Sequence, residues 1–143
     1  MRTPVAHWSW AWVVLLAAGG CGGRHEQPTD TGAKDAARTF AEAIARQDWE
    51  TAYEGVHEEG RRQLGRDEFA RLARQYRRDL GFEPASAQVR SCEEQGDEAK
   101  AHVVFSGQSK GGPRQFRDSV LLRRGSEGWG VVLPRRFGRA KAQ

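Results

Sequence analysis

Residues 33–53, AKDAARTFAEAIARQDWETAY, carry the two patterns that decide the class of this chain. Over residues 33–47, apolar side chains recur at helical spacing on one face, and the alanines among them keep that face thin. Asp48 then interrupts the pattern and suits the N-cap of a second, short helix. The stretch therefore predicts two helices joined by a tight polar turn.

In the remainder of the chain, the sequence pattern predicts one more helix and then a sheet. Residues 67–80 show an apolar stripe opposed by arginines, and Gly81 suits the position after a helix end. Beyond Pro84 the apolar spacing changes from 3.6 to 2, which indicates strands, and residues 108–113 form an expected glycine-rich loop. The strands are predicted at residues 87–93, 99–106, 115–124 and 129–133. Short turns favour an antiparallel order, so we predict an α+β fold with three N-terminal helices on one face of a four-stranded antiparallel sheet.

The first 21 residues resemble a bacterial lipoprotein signal. Arg2 precedes an apolar run of 14 residues, 5–18, which is short for a membrane span of about 20 residues and suits a signal peptide. Residues 18–21, Ala-Gly-Gly-Cys, resemble the site where such signals are cut before the cysteine. The resemblance implies loss of residues 1–20, acylation of Cys21, and a place in the cell envelope on the exported side of a bacterial membrane, periplasmic or outer-membrane. An ordinary secretory signal is the alternative.

Composition fits a single exported domain. Without residues 1–20 the chain has 123 residues, 22 basic and 19 acidic. If Cys21 is acylated, Cys92 stands alone, and the core must hold by packing without an internal disulfide. Residues 21–32 are expected to be a flexible tether with a reach of roughly 18 Å. A basic disordered tail is expected at residues 138–143.

The sequence offers few chemical motifs. His25, His57 and His102 lack ligand spacing, so no metal or cofactor is expected. Basic segments do not predict nucleic acid binding, because an exported protein rarely meets nucleic acid and no aromatic residues are interleaved for base stacking. Besides the membrane itself, reached through Cys21, the expected partners are anionic lipid headgroups or an envelope protein.

Residues 41–53, AEAIARQDWETAY, resemble the opening of small nuclear transport factor 2-like domains, in which a helix ends at a polar turn and an aromatic residue and an alanine start the next. Asp67-Glu68-Phe69 and the final strand Trp129-Gly130-Val131-Val132 are similar to the same family, so the resemblance covers residues 33–137. It implies a strongly curved sheet around the first helix and a cone-shaped cavity between them. These side chains either line the cone or fill it: Phe40, Ile44, Trp49, Tyr53, Phe69, Tyr76, Val103, Phe105, Val120 and Trp129.

Enzymes of this superfamily use an acid–base pair inside the cone, and Asp118 is the catalytic candidate here. It shares a predicted strand face with Phe116 and Val120, where a carboxylate would serve as a general base. The alternative is a solvated carboxylate paired with Arg117 or Arg123. The sequence favours a lipid-anchored envelope protein with a non-catalytic binding or structural domain. The alternatives are an isomerase-like or dehydratase-like enzyme acting on a small molecule in the cone, and a protein-interaction module.

Overall fold

The computed structural model describes residues 30–139, so the predicted signal peptide, Cys21, residues 22–29 of the tether and residues 140–143 lie outside the described residues. Four helices precede four strands. The helices are α1 (Ala33–Arg46), α2 (Trp49–Glu54), α3 (Glu58–Gln63) and α4 (Arg66–Asp79). The strands are β1 (Glu83–Gln95), β2 (Glu98–Ser109), β3 (Gly112–Gly125) and β4 (Gly128–Val132). The predicted α+β class, with helices before the sheet, is confirmed.

The sheet has the order β1-β2-β3-β4, and each neighbouring pair is antiparallel, as predicted. β1 shows register shifts at Pro84/Ser86 and Val89/Ser91, and such bulges bend a strand. β4 pairs only with residues 121–125 of β3. The helices cover one face of the sheet, called here the inner face, and the opposite face is called the outer face.

The strands are longer than the sequence predicts. β2 and β3 remain paired down to Ser109 and Gly112, so the expected loop at residues 108–113 is wrong. The side-chain pattern does not predict the longer strands, because β2 and β3 stay paired through Gly107 and Gln108, where apolar and polar residues no longer alternate. Backbone hydrogen bonds therefore hold the outer part of this hairpin, where the apolar pattern is absent.

The helix α3 corrects the predicted count of three helices. Its six residues, EEGRRQ, include no buried side chain, so it has no apolar periodicity to reveal it. His57 precedes it and accepts a hydrogen bond at Nδ1 from the amide of Glu59, at 3.3 Å. Acidic residues in the first turn and arginines in the last turn match the helix dipole. The cap at His57 and the charges at the two ends thus account for α3, which has no apolar face.

The turn before α3 is joined to β4. Asp48 caps α2 as predicted, accepting from the Thr51 amide at 3.1 Å. After α2, the amide of His57 donates to the carbonyl of Val131 at 2.9 Å. A Cβ atom at Gly130 would lie 2.5 Å from the Cα of His57. Only glycine allows this close approach of backbone to backbone.

The chain after β4 closes the core. Phe137 is 7% exposed, and its ring stacks on Phe69 at 5.9 Å and on Tyr76 at 5.1 Å. Gly138 is buried with φ +59°, and a Cβ atom there would meet the carbonyl oxygen of Leu72. The packed part of the chain therefore runs through Gly138, which the sequence placed in the disordered tail. Apolar side chains from the helices, the strands and this segment bury one another, so residues 30–139 contain one complete core.

Candidate functional site

The side chains predicted to line or fill the cone form the core. Five are 0–5% exposed: Phe40, Ile44, Phe69, Val103 and Phe105. The other five are partly buried and packed against these: Trp49, Tyr53, Tyr76, Val120 and Trp129. Ring centroids lie 5.6 Å apart for Tyr53 and Phe69, and 6.1 Å apart for Tyr76 and Phe105. The inner face is thus occupied by closely packed aromatic rings.

The carboxylate of Asp118 lies on the inner face and is already engaged. It accepts the hydroxyl of Tyr76 at 2.6 Å and the amide of Ser119 at 2.8 Å. Burial and the adjacent carboxylate raise the pKa of Tyr76, so the phenol stays protonated and keeps donating. Arg123 instead contacts Glu59 and Glu98. In this structure Asp118 satisfies a partly buried tyrosine hydroxyl.

The histidines are dispersed. His102 lies on the outer face with its Nδ1 atom 3.2 Å from the Ser119 hydroxyl, and His57 caps α3. His25 falls outside the described residues. Residues 30–139 contain no cluster of three or more His, Cys, Asp and Glu side chains able to hold a metal ion. Within the same part of the chain, no helix is long and apolar enough to cross a membrane.

An open groove of about 580 Å³ lies between α3, β4 and residues 133–139, and is called here the α3 groove. Its apolar wall consists of Leu64, Leu72, Val131, Val132, Leu133, Pro134 and Phe137. Its charged side chains are Arg123, Arg135, Arg139 and Glu59. Among residues 30–139, no carboxylate lies within 4.0 Å of Arg135 or Arg139. The groove therefore combines an apolar wall with a net positive rim.

Few features of the sequence indicate the α3 groove. Its walls come from an unpredicted helix, the last strand, and a segment that was expected to end in a disordered tail. The sequence indicates it only at Leu133 and Phe137, two large apolar residues within a basic stretch. The fold brings them into one groove with Leu64, which lies about 70 positions earlier in the chain.

A second open pocket, of about 460 Å³, lies on the outer face and is called here the outer hollow. The side chains of its strands that point to this face are Arg90, His102, Val104, Gln115, Arg117 and Ser119. No ligand-binding role was predicted for any of them.

The start of the folded part is fastened to one end of the sheet. The Thr31 hydroxyl donates to Glu94 at 2.7 Å and accepts from the indole of Trp129 at 2.9 Å and from Arg124. The Arg124 guanidinium lies 4.7 Å from the centre of the Trp129 ring, a cation–π contact. These contacts fix the point at which the predicted tether joins the domain.

Comparison with known proteins bears on the fold alone. No protein-family model and no curated protein matches the chain. A solved structure named as an NTF2-like transpeptidase from Campylobacter jejuni is similar, with a TM-score of 0.53 and 14% identity, over 70% of this chain and 96% of that one. The chain thus has a fold similar to that of a nuclear transport factor 2-like protein.

Two further solved structures are SEC-C motif-containing proteins. That from Rhodopseudomonas palustris has a TM-score of 0.45 and 15% identity over 70% of this chain and 82% of its own. That from Psychrobacter arcticus has a TM-score of 0.49 and 10% identity over 65% of this chain, which spans 54% of that protein. Both scores are below 0.5 and support no inference.

Proposed function

We propose that this protein is a lipid-anchored protein of the bacterial cell envelope, with a non-catalytic domain that binds a ligand in the α3 groove. One observation carries the proposal: the inner face is packed with aromatic and aliphatic side chains, whereas the α3 groove is open and large enough for a small molecule. Ligand pockets commonly measure about 300–1,000 Å³. Binding outside the packed core requires no rearrangement of these rings.

The chemistry of the α3 groove indicates an amphiphilic anion. Leu64 and Leu133 are half-buried, so a hydrocarbon chain laid against them would remove apolar surface from water. Arg135 and Arg139 have no carboxylate partner among the described residues and would meet the negative end of such a ligand. A fatty acyl chain ending in a carboxylate or a phosphate fits both features.

The anchor is the second part of the proposal. The lipoprotein-like residues 18–21 support it, because acyl chains on Cys21 would hold the chain at a membrane. The fastening of Thr31 to Glu94 and Trp129 supports it as well, because a tether needs a firm junction with the domain that it holds.

An enzyme acting on a small molecule remains the alternative, and the Tyr76–Asp118 pair is the observation that favours it. A hydroxyl and a carboxylate joined at 2.6 Å are groups that move protons in many active sites. If Asp118 is catalytic, Asp118→Asn should abolish activity in cells while the protein stays folded. If it only satisfies Tyr76, the variant should lose stability and keep its cellular function.

The binding proposal is tested by titrating residues 22–143 with dodecanoate, dodecyl phosphate and neutral dodecanol in a calorimeter. We expect both anions to bind, and the double variant Arg135→Glu/Arg139→Glu to bind them at least about tenfold more weakly. The double variant Arg38→Glu/Arg78→Glu, on the exposed sides of α1 and α4, makes the same change in net charge away from the groove and should bind like the unmodified chain. Failure of both anions to bind, or equal affinity for dodecanol, would overturn the assignment of this ligand class.

A further inference from the structure

The outer hollow results from an irregularity in β1. Pairing places Val89 opposite Val103 and Ser91 opposite His102, so Arg90 is the extra residue of the bulge. Arg90 lines the outer hollow together with Arg117. The bulge therefore brings a cation from β1 to a cation from β3.

The lining side chains that point to the outer face can all donate hydrogen bonds, apart from Val104. Two guanidinium groups, the Gln115 amide, the Ser119 hydroxyl and the ring of His102 face a common space. Asp118 also borders it, but its carboxylate is engaged with Tyr76 on the inner face. Within residues 30–139, the outer hollow thus has the donors for an anion, and the carboxylate that borders it is engaged elsewhere.

The arginines of the outer hollow also differ from about half of the others in the described part of the chain. Eight arginines there have a carboxylate oxygen within 4.0 Å, and Arg90 and Arg117 do not. The arginines on α4 are engaged: Arg71 pairs with Glu68, and Arg74 lies over the ring of Trp49. The outer hollow therefore offers two guanidinium groups that are free to bind phosphate, which arginine binds in a bidentate manner.

An apolar side chain stands beside these cations. Leu121 is 53% exposed and points to the outer face, two positions after Ser119 on β3. Its neighbours there are Val132 and Lys100, which has no carboxylate within 4.0 Å in residues 30–139. Cations next to an exposed leucine suit the boundary between lipid headgroups and acyl chains.

We propose that the outer hollow binds the phosphate of anionic phospholipid headgroups, with Arg90 and Arg117 as the main ligands and Leu121 entering the headgroup layer. The proposal rests on the proposed membrane anchor, which brings the domain to lipid. A tether of about ten residues reaches roughly 17 Å and creates a millimolar effective concentration, so a weak headgroup site is occupied. The outer face then lies on the membrane.

The test uses residues 22–143, which contain the complete core and lack Cys21, so vesicle binding is independent of acylation. We expect the chain to sediment with vesicles of phosphatidylcholine and about one third phosphatidylglycerol, and not with phosphatidylcholine alone. The variant Arg90→Glu/Arg117→Glu should bind at least about tenfold more weakly. The control Arg62→Glu/Arg78→Glu makes the same change in net charge on the helices and should bind within about threefold of the unmodified chain.

Equal losses in the two double variants would overturn the proposal, because net charge alone would then explain binding. So would equal binding to the two kinds of vesicle, or saturable binding of inorganic phosphate without binding to phosphatidylglycerol vesicles. Circular dichroism melts of each variant identify any loss of folding, and Arg90→Lys/Arg117→Lys, which keeps the charge, should retain part of the binding. If the proposed anchor is wrong, the full chain isolated from bacteria will have an unmodified Cys21. That result would leave these vesicle results unchanged, because the tested chain lacks Cys21.

Discussion

Replacing Phe137 with alanine tests whether the segment after β4 belongs to the core. The ring is 7% exposed and stacks on two aromatic neighbours, Phe69 and Tyr76. Truncation of a buried phenylalanine costs about 3–5 kcal/mol of unfolding free energy. We expect about 3 kcal/mol, because Phe137 lines the α3 groove and the space left by its ring would open to water instead of staying an empty cavity. For a domain of about 110 residues, this corresponds to a fall in Tm of roughly 13 °C.

The measurement is urea unfolding of residues 22–143, monitored by far-ultraviolet circular dichroism. We expect the slope of the unfolding free energy against urea concentration to be the same in the variant and the unmodified chain. Phe116→Ala is the control, because that ring is 38% exposed and its loss should cost only about 1–2 kcal/mol. Deletion of residues 137–143 should destabilise the chain at least as much as Phe137→Ala. A loss below about 1 kcal/mol in the Phe137 variant would refute the conclusion that this segment closes the core.

Three further substitutions have defined outcomes. Tyr76→Phe removes the donor to Asp118 and should cost about 1–2 kcal/mol of unfolding free energy at neutral pH. Because the pKa of Tyr76 is raised in the fold, the difference in unfolding free energy between the two proteins should shrink as the pH rises beyond about 10. Unfolding curves measured at each pH would show this change. Gly130→Ala should cost about 1–3 kcal/mol by overpacking. Gly65→Ala, whose Cβ would have no neighbour within 4 Å, should cost less than about 1 kcal/mol, through the weaker N-cap of α4 alone. Asp48→Ala should destabilise the chain at neutral pH. Because the pKa of Asp48 is lowered in the fold, the stability that its carboxylate contributes is present above about pH 4 and should be lost as the pH falls further, which unfolding curves at each pH would show.

The parts of the fold that could be predicted are those in which apolar spacing reports a buried face. α1 buries Phe40 and Ile44 on the face that its sequence shows, and β2 buries Val103 and Phe105 in alternation. α3 could not be predicted in this way, because none of its side chains is buried. The length of the β2–β3 hairpin was missed for a similar reason, since its outer part is held by backbone pairing.

The candidate sites depend on contacts that a linear pattern does not contain. The α3 groove joins Leu64 to Leu133 and Phe137, which only the closed fold brings together. The outer hollow depends on the β1 bulge, because simple alternation cannot say to which face an extra residue such as Arg90 belongs. Asp118 was recognised as a carboxylate on an apolar face, but its partner Tyr76 is 42 positions away.

The proposed membrane anchor is tested most directly by the intact mass of the protein isolated from bacteria that produce the full chain. The account predicts a membrane-bound polypeptide that begins at Cys21 and carries a diacylglycerol on that thiol. Cys21→Ser should give a protein without lipid that no longer partitions with the membrane. A water-soluble product with an unmodified Cys21 would contradict the account, whatever the α3 groove and the outer hollow bind.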